Sequence, residues 1–274
     1  MRPVGTPVGR PVPLPVDIGR GGGGLPWEDS GGGRVQGPAL ITAFDGMSTT
    51  NHWAGAADGE PQAPFLGNMT IGIVVRIDAV PSAIEMWGAH GGNSGTDGGW
   101  SIGSNASAVL RGIVVDLGGT ARVTPAYTIV AGDVGKYHTF CLTIDGTVIK
   151  MYRNGVIVGT STVCVGYKAP NVALKTSIGC AYNTAAAINS ATSVAVVGML
   201  ADENLLLSAA NVTVWHDACV AARDVADFTG DSQYRWQASD NVGLASPWTD
   251  DIGGITLTRV GTGGTLVQEV PTWG

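Results

Sequence analysis

Two dipeptides, Asp145-Gly146 and Asn154-Gly155, limit what this chain can become more than any other feature. Asn, Asp and Gly tolerate the positive φ that type I′ turns demand. Each dipeptide also closes an apolar, β-branched run: Tyr137-His138-Thr139-Phe140-Cys141-Leu142-Thr143-Ile144 before the first, residues 147–153 before the second. Residues 136–165 therefore read as a three-stranded antiparallel meander, its third strand spanning 156–163. A meander has an apolar face to cover, and most of the remaining chain offers further strands to cover it.

Residues 40–44 form a strand ending at Asp45-Gly46, followed by a polar loop, rich in Gly and Pro, up to Pro64. Residues 69–77 carry Ile71, Ile73, Val74, Val75 and Ile77, a run that suits a mid-sheet strand buried on both faces. Residues 83–89, 99–103 and 108–117 are three more candidates, with the glycine-rich loop 90–98 among them, and 193–200 is another. The one convincing helix begins near Ser208, with Ala209, Ala210, Val214, Trp215, Ala218, Cys219 and Ala222 on a rough stripe, although Val212-Thr213-Val214-Trp215 also fits a strand. From Tyr234 the β character resumes at 234–236, 254–260 and 265–270. Forty-two glycines and only 14% charged residues agree with many short strands joined by turns and argue against a helical bundle.

Several classes drop out. The net charge is −7 and the 15 Lys and Arg are scattered, so no basic cluster exists to neutralise a run of phosphates. No stretch approaches the roughly 20 apolar residues of a membrane helix. The leader MRPVGTPVGRPVPLPV places prolines where a signal peptide needs an uninterrupted apolar core, so a soluble protein not exported by the usual signal is expected. Cys141, Cys164, Cys180 and Cys219 form no CxxC pair and read as reduced core thiols, with two bridges as the alternative.

Residues 1–37 stand apart. Pro3, Pro7, Pro11, Pro13 and Pro15 favour an extended arm, and the glycine runs 21–24 and 31–33 act as joints. The plain alternative is a disordered tail. Ordering such a segment costs roughly 1–2 kcal/mol per residue, which contacts from neighbouring subunits offset more readily than contacts from its own domain. Arg2, Arg10 and Arg20 either meet an acidic neighbour or simply aid solubility.

The run 135–146, followed by Ile149-Lys150-Met151-Tyr152-Arg153-Asn154-Gly155-Val156, resembles the concanavalin A-like superfamily with its laminin G-like and pentraxin-like domains. There a strand of the form W-H-H-V-A-L-T-x-D-G leads into L-x-L-Y-x-D-G-V. Here Tyr137 stands where Trp is common, Thr139 replaces the second His, and Asn154 replaces an Asp. The resemblance covers about residues 39–207 and implies an all-β, antiparallel two-sheet jelly-roll sandwich. The pattern Leu205 to Asn211, Trp236 to Asp240 and Trp248 to Thr258 looks like the ends of tailed-phage structural proteins that carry this domain. The expected organisation is an arm at 1–37, a jelly roll at 38–207, and a helix with a β segment packed on it at 208–274.

Glycan-cleaving relatives resemble one another in an E-x-D-x-E strand, whose alternation aims carboxylates at one face. No such strand exists here, and Glu85 lacks a carboxylate two residues away on either side. A Ser-His-Asp hydrolase is disfavoured because no G-x-S-x-G turn appears and His52, His90, His138 and His216 lack compelling partners. For glycan binding, Trp87, His90, Asn93, Asp97 and Trp100 offer ring faces beside amide and carboxylate groups, while core packing is the competing role for each Trp. Asn93, Asp97 and Asp116 are the only candidates for a Ca2+ site, too few carboxylates for a dedicated one, so no cofactor is expected.

Together these readings point to a non-enzymatic bacteriophage virion protein (a capsid decoration, head-fibre or tail-associated subunit) assembled in the host cytoplasm in many copies. Residues 1–37 would dock on major capsid or tail subunits, and the jelly roll would be displayed for adhesion to host-surface glycans. No membrane or nucleic acid partner is expected. The alternatives are a free carbohydrate-binding module or adhesin and, less favoured, a glycoside hydrolase.

Overall fold

The computed structural model describes residues 40–55, 68–91, 98–162, 164–168, 176–183, 186–202, 205–228, 234–241, 248–249 and 256–274. The expected arm with Arg2, Arg10 and Arg20 lies outside them, as do Asn93 and Asp97 of the glycine-rich loop. Pro38–Gly274 is a unit in itself.

Its first strands are β1 (Ile41–Asp45), β2 (His52–Gly55), β3 (Met69–Ile77), β4 (Glu85–His90), β5 (Trp100–Ser104), β6 (Val109–Val115) and β7 (Ala121–Thr128). The meander follows as β8 (Tyr137–Ile144), β9 (Ile149–Arg153) and β10 (Val156–Ser161). Then come β11 (Thr176–Ile178), the hairpin β12 (Ala181–Asn183) and β13 (Ala186–Ile188), and the long β14 (Val194–Asp202). Helix α1 (Ala209–Ala222) precedes β15 (Tyr234–Gln237), β16 (Trp248–Thr249), β17 (Thr256–Val260) and β18 (Thr265–Glu269).

These strands build two antiparallel sheets of eight strands each. The first runs β10-β9-β8-β3-β14-β1-β18, with β15 also on β14, and the second runs β16-β17-β2-β11-β4-β5-β6-β7. Between them lies the main core, including Phe44, Trp53, Ile71, Ile73, Trp87 and Phe140. Phe44, Trp53 and Trp248 pack mutually at ring-centroid distances of 5.2–5.5 Å, and Trp87 lies 5.3 Å from Phe140. The chain is thus the jelly-roll sandwich that the sequence leads one to expect.

Strand β3 sits between β8 and β14, and its apolar run is explained by burial on two sides. Ile71, Ile73 and Val75 enter the inter-sheet core, whereas Val74 faces the layer under α1. Helix α1 begins at Ser208, whose side chain accepts from Asn211 N at 3.3 Å, and ends at Arg223 in the left-handed region. Residues 212–215 are therefore helical, and the expected stripe is rotated: Val212, Trp215 and Cys219 face the sheet, while Val214 is 57% exposed. Gly72 makes room for Trp215, since a Cβ there would stand 2.5 Å from the indole ring. The four cysteines are free and buried.

The two turns differ. Asn154 (φ 51°) and Gly155 (φ 76°) form the two-residue turn between the paired Arg153 and Val156. The Asp145-Gly146 turn is longer than expected, a four-residue loop between the paired Ile144 and Ile149. Only Gly146 takes positive φ there, because the Asp145 carboxylate itself closes the loop by accepting from Val148 N at 2.8 Å.

Two expectations need correction. Residues 52–55, expected in a loop, form the fully buried β2, since a short strand containing His and Gly loses its alternation when both faces are covered. The C-terminal segment does more than pack on the jelly roll: β18 pairs with β1 and β17 with β2, so it supplies strands to both sheets.

Gly155→Ala should cost about 2 kcal/mol, because it adds left-handed strain to a Cβ placed 2.9 Å from Thr213 Cα. Gly135→Ala, where φ is 78° and a Cβ would meet nothing within 4 Å, carries the positive φ alone and should cost about 1 kcal/mol. Urea unfolding of the two variants measures the difference.

Candidate functional site

The loop cluster expected to stack sugars is not an open platform. Trp87 and Trp100 are 0% and 2% exposed, and His90, also buried, meets Trp100 edge-on at 6.3 Å between centroids. A ring offers a sugar its face only when that face reaches solvent, so both indoles act as core here. Trp87 and Trp100 join the inter-sheet core, whereas Met86 and Ala89 point to the other side, the bulge at Trp87 between Met86 and Gly88 letting residues three apart share a face. Asp116 is likewise committed. Fully buried, it accepts from Thr120 N at 2.8 Å and Arg122 Nε at 2.6 Å, and these bonds hold its carboxyl below the usual range against the opposing cost of burial. Among the described residues no group of three or more His, Cys, Asp or Glu converges to hold a metal ion.

Glu85 is buried as a structural acceptor. It takes hydrogen bonds from Thr192 Oγ1 and Ser193 Oγ, both at 2.7 Å, and from Ser193 N at 3.2 Å, tying β4 to the start of β14. No described neighbour makes it half of a catalytic carboxylate pair.

A second polar cluster gathers at one end of β8. Buried Asp133 accepts from Arg153 at 2.6 Å, Tyr127 Oη at 3.0 Å and Val130 N at 2.9 Å, and the Arg153 guanidinium lies 4.2 Å over the Tyr127 ring. His138 Nε2 stands 4.0 Å from Asp133, and its Nδ1 meets Asn154 Nδ2 at 3.1 Å. Desolvation, reinforced by the nearby Arg153, pushes His138 down to about 4, so the imidazole is neutral at pH 7. Thr139 Oγ1 meets His216 Nδ1 at 2.9 Å. Thr139 and His138 are consecutive in a strand and therefore face opposite ways, so Asp133, His138 and Thr139 do not line up as a proton relay.

On the outward face of the second sheet, Ala54, Met86, Ala89, Ser101, Ile113 and Ser177 are buried, whereas Arg111 and Val123 reach solvent in part. Strand pairing aligns Ala54, Ser177, Ala89, Ser101, Ile113 and Val123 in one row across β2, β11, β4, β5, β6 and β7. The next row holds Met86, Gly103 and Arg111. The hairpin β12-β13 stands on this face: Ala181 and Ile188 pack on Met86, Ala89 and Ile113, and Tyr182 Oη lies 2.6 Å from His52 Nε2. Beside it Arg111 is half-buried, and its Nε is sealed from solvent without a hydrogen-bond partner. Burial, with no counter-charge offsetting it, lowers its pKa.

That isolation sets Arg111 apart. Arg76 reaches Asp45, Asp78 and Glu269, Arg122 pairs with Asp116, and Arg153 pairs with Asp133. Arg223, Arg235 and Arg259 also have partners. Ser101, diagonal to Arg111 on the same face, has a buried hydroxyl that is likewise unpaired. The sequence reading passed over both residues, although a signal was present: Arg111 is the one charge inside the otherwise apolar run 108–115.

A protein from Bacteroides ovatus described as a "putative carbohydrate binding protein" superposes with a TM-score of 0.55 at 12% identity, over 85% of this chain and 60% of its own. A heptameric SAP-like pentraxin from Limulus polyphemus gives 0.46 at 13% identity, over 82% and 97%. The CBM40 domain of the Ruminococcus gnavus IT-sialidase, bound to alpha2,3 sialyllactose, gives 0.46 at 14%, over 63% and 96%. At such identities the likeness to the Bacteroides protein is one of fold. No family model and no curated protein sequence matches the chain.

Two outcomes follow. Trp87→Ala should cost about 3–5 kcal/mol of stability as a core truncation, read by urea unfolding without any ligand. Because the folded state holds His138 at about 4 while the unfolded chain titrates near 6.5, the unfolded state binds the extra proton between those values. Stability should therefore fall by about 3 kcal/mol as pH drops from 7 to 4, and His138→Gln should remove that share of the slope.

Proposed function

We propose that this chain is a non-enzymatic, glycan-binding jelly roll displayed on a phage particle, with its binding surface on the outward face of the second sheet. The observation that carries the glycan reading is Arg111, a half-buried guanidinium without a partner among the described residues, placed beside the hairpin that stands on that face. Buried polar groups in folded proteins are almost always paired, and those left unpaired cluster where a ligand completes them. The description of the Bacteroides ovatus protein as carbohydrate binding supports this reading through the shared sandwich. A non-enzymatic role is supported by the engagement of Glu85 and Asp116 in structural bonds.

The particle part of the proposal rests on the leader. Its alternation of Pro with Val and Gly, and the likeness of the 205–258 segment to tailed-phage structural proteins, support an arm at 1–37 that docks on capsid or tail subunits in many copies. No helix among the described residues is long and apolar enough to cross a membrane.

On a glycan array the full chain should retain a defined set of oligosaccharides. Val123→Trp, which plants a bulky ring beside Arg111, should abolish retention, with a melting curve of the variant checking that it still folds although Val123 packs against Met86, Ala89 and Ile113. An array that stays blank would defeat the glycan reading. Deleting residues 1–24 should leave glycan binding intact and stop incorporation into particles, whereas continued incorporation would defeat the anchoring role.

A further inference from the structure

An unpaired guanidinium specifies its ligand more narrowly than sugar binding in general. Arginine presents five N–H donors in a planar fork and no acceptor, so a hydroxyl alone leaves most of that capacity unused. Carboxylate and sulfate oxygens match the fork geometrically and supply the missing charge. None of the residues in the two rows that pass Arg111 is acidic: Ala54, Ser177, Ala89, Ser101, Ile113 and Val123 in one, Met86 and Gly103 in the other.

The nearest carboxylates along the chain are already spent. Asp116 is taken by Arg122, and Glu85 bonds to Thr192 and Ser193 on the other side of β4. The Arg111 Nε is sealed from solvent, and a charge-assisted bond formed beside it is weakened less by water than one in the open. The same isolation makes the residue costly to the fold, since a sealed donor without a partner lowers stability.

Resting on the glycan-binding reading above, we infer that the outward face of the second sheet recognises an acidic glycan, with Arg111 gripping its carboxylate or sulfate group. The arginine supplies discrimination between charged and neutral sugars.

The test compares the full chain against one set of oligosaccharides in three matched forms: carboxylated, carboxyl-reduced and sulfated. A charged form should bind at least about tenfold more tightly than its reduced counterpart, and which charged form does so separates carboxylate from sulfate recognition. Arg111→Gln should erase the preference by weakening the charged forms at least about tenfold. Its melting temperature should stay the same or rise, whereas a merely structural arginine would lower it on removal. Arg111→Lys, which keeps the charge without the fork, should retain only part of the preference.

Equal binding of charged and reduced forms, or a preference that survives Arg111→Gln, overturns this inference while the glycan-binding reading stands. Binding of none of the three forms, nor of any sugar on the array, overturns both. If Arg111→Gln fails to fold, the same comparison with Arg111→Lys decides: an undiminished preference counts against the fork, a reduced one for it.

Discussion

The fold depends on covering the first sheet twice. Strands β3 and β14 are buried along nearly their whole length, so neither side of the sheet can rest in water. The second sheet covers one side through the aromatic core, and α1 covers the other through Val212, Trp215 and Cys219. The helix is seated by Gly72, whose missing side chain admits the Trp215 ring, and by the Trp215 Nε1–H bond to the Ala226 carbonyl at 2.8 Å.

How legible this was in the sequence depended on whether a segment carried its own signal. The meander, the doubly buried β3 and the capped helix announced themselves through turn dipeptides, an unbroken apolar run and Ser208. Strand β2 did not, because His52-Trp53-Ala54-Gly55 has neither alternation nor β-branched residues and becomes a strand only through its neighbours β11 and β17. The Asp145 turn was placed correctly but misjudged in length, since a side-chain acceptor closed it where backbone geometry alone had been considered.

The site was less legible than the fold for a related reason. Composition draws attention to tryptophans near Asn and Asp, yet strand geometry decides which of them see solvent, and it turns Trp87, at a bulge, and Trp100 inward. Arg111 drew no attention because a charge in a strand reads as a solvated side chain. Only the pairing of β5, β6 and β7 reveals that nothing acidic accompanies it. What marks the candidate site is therefore a missing partner, and sequence patterns report residues that are present.

The pairing of β18 with β1 and of β17 with β2 has a consequence for how the molecule comes into being. Residue 41 lies opposite residue 269, so the hydrogen bonds along one flank of each sheet join the two most distant parts of the described chain. Such non-local closure is slow. Until the ribosome has released the last strands, β1 and β2 each lack a neighbour and offer open edges to other nascent chains. The more copies are made at once, the greater the advantage of shielding those edges during that interval.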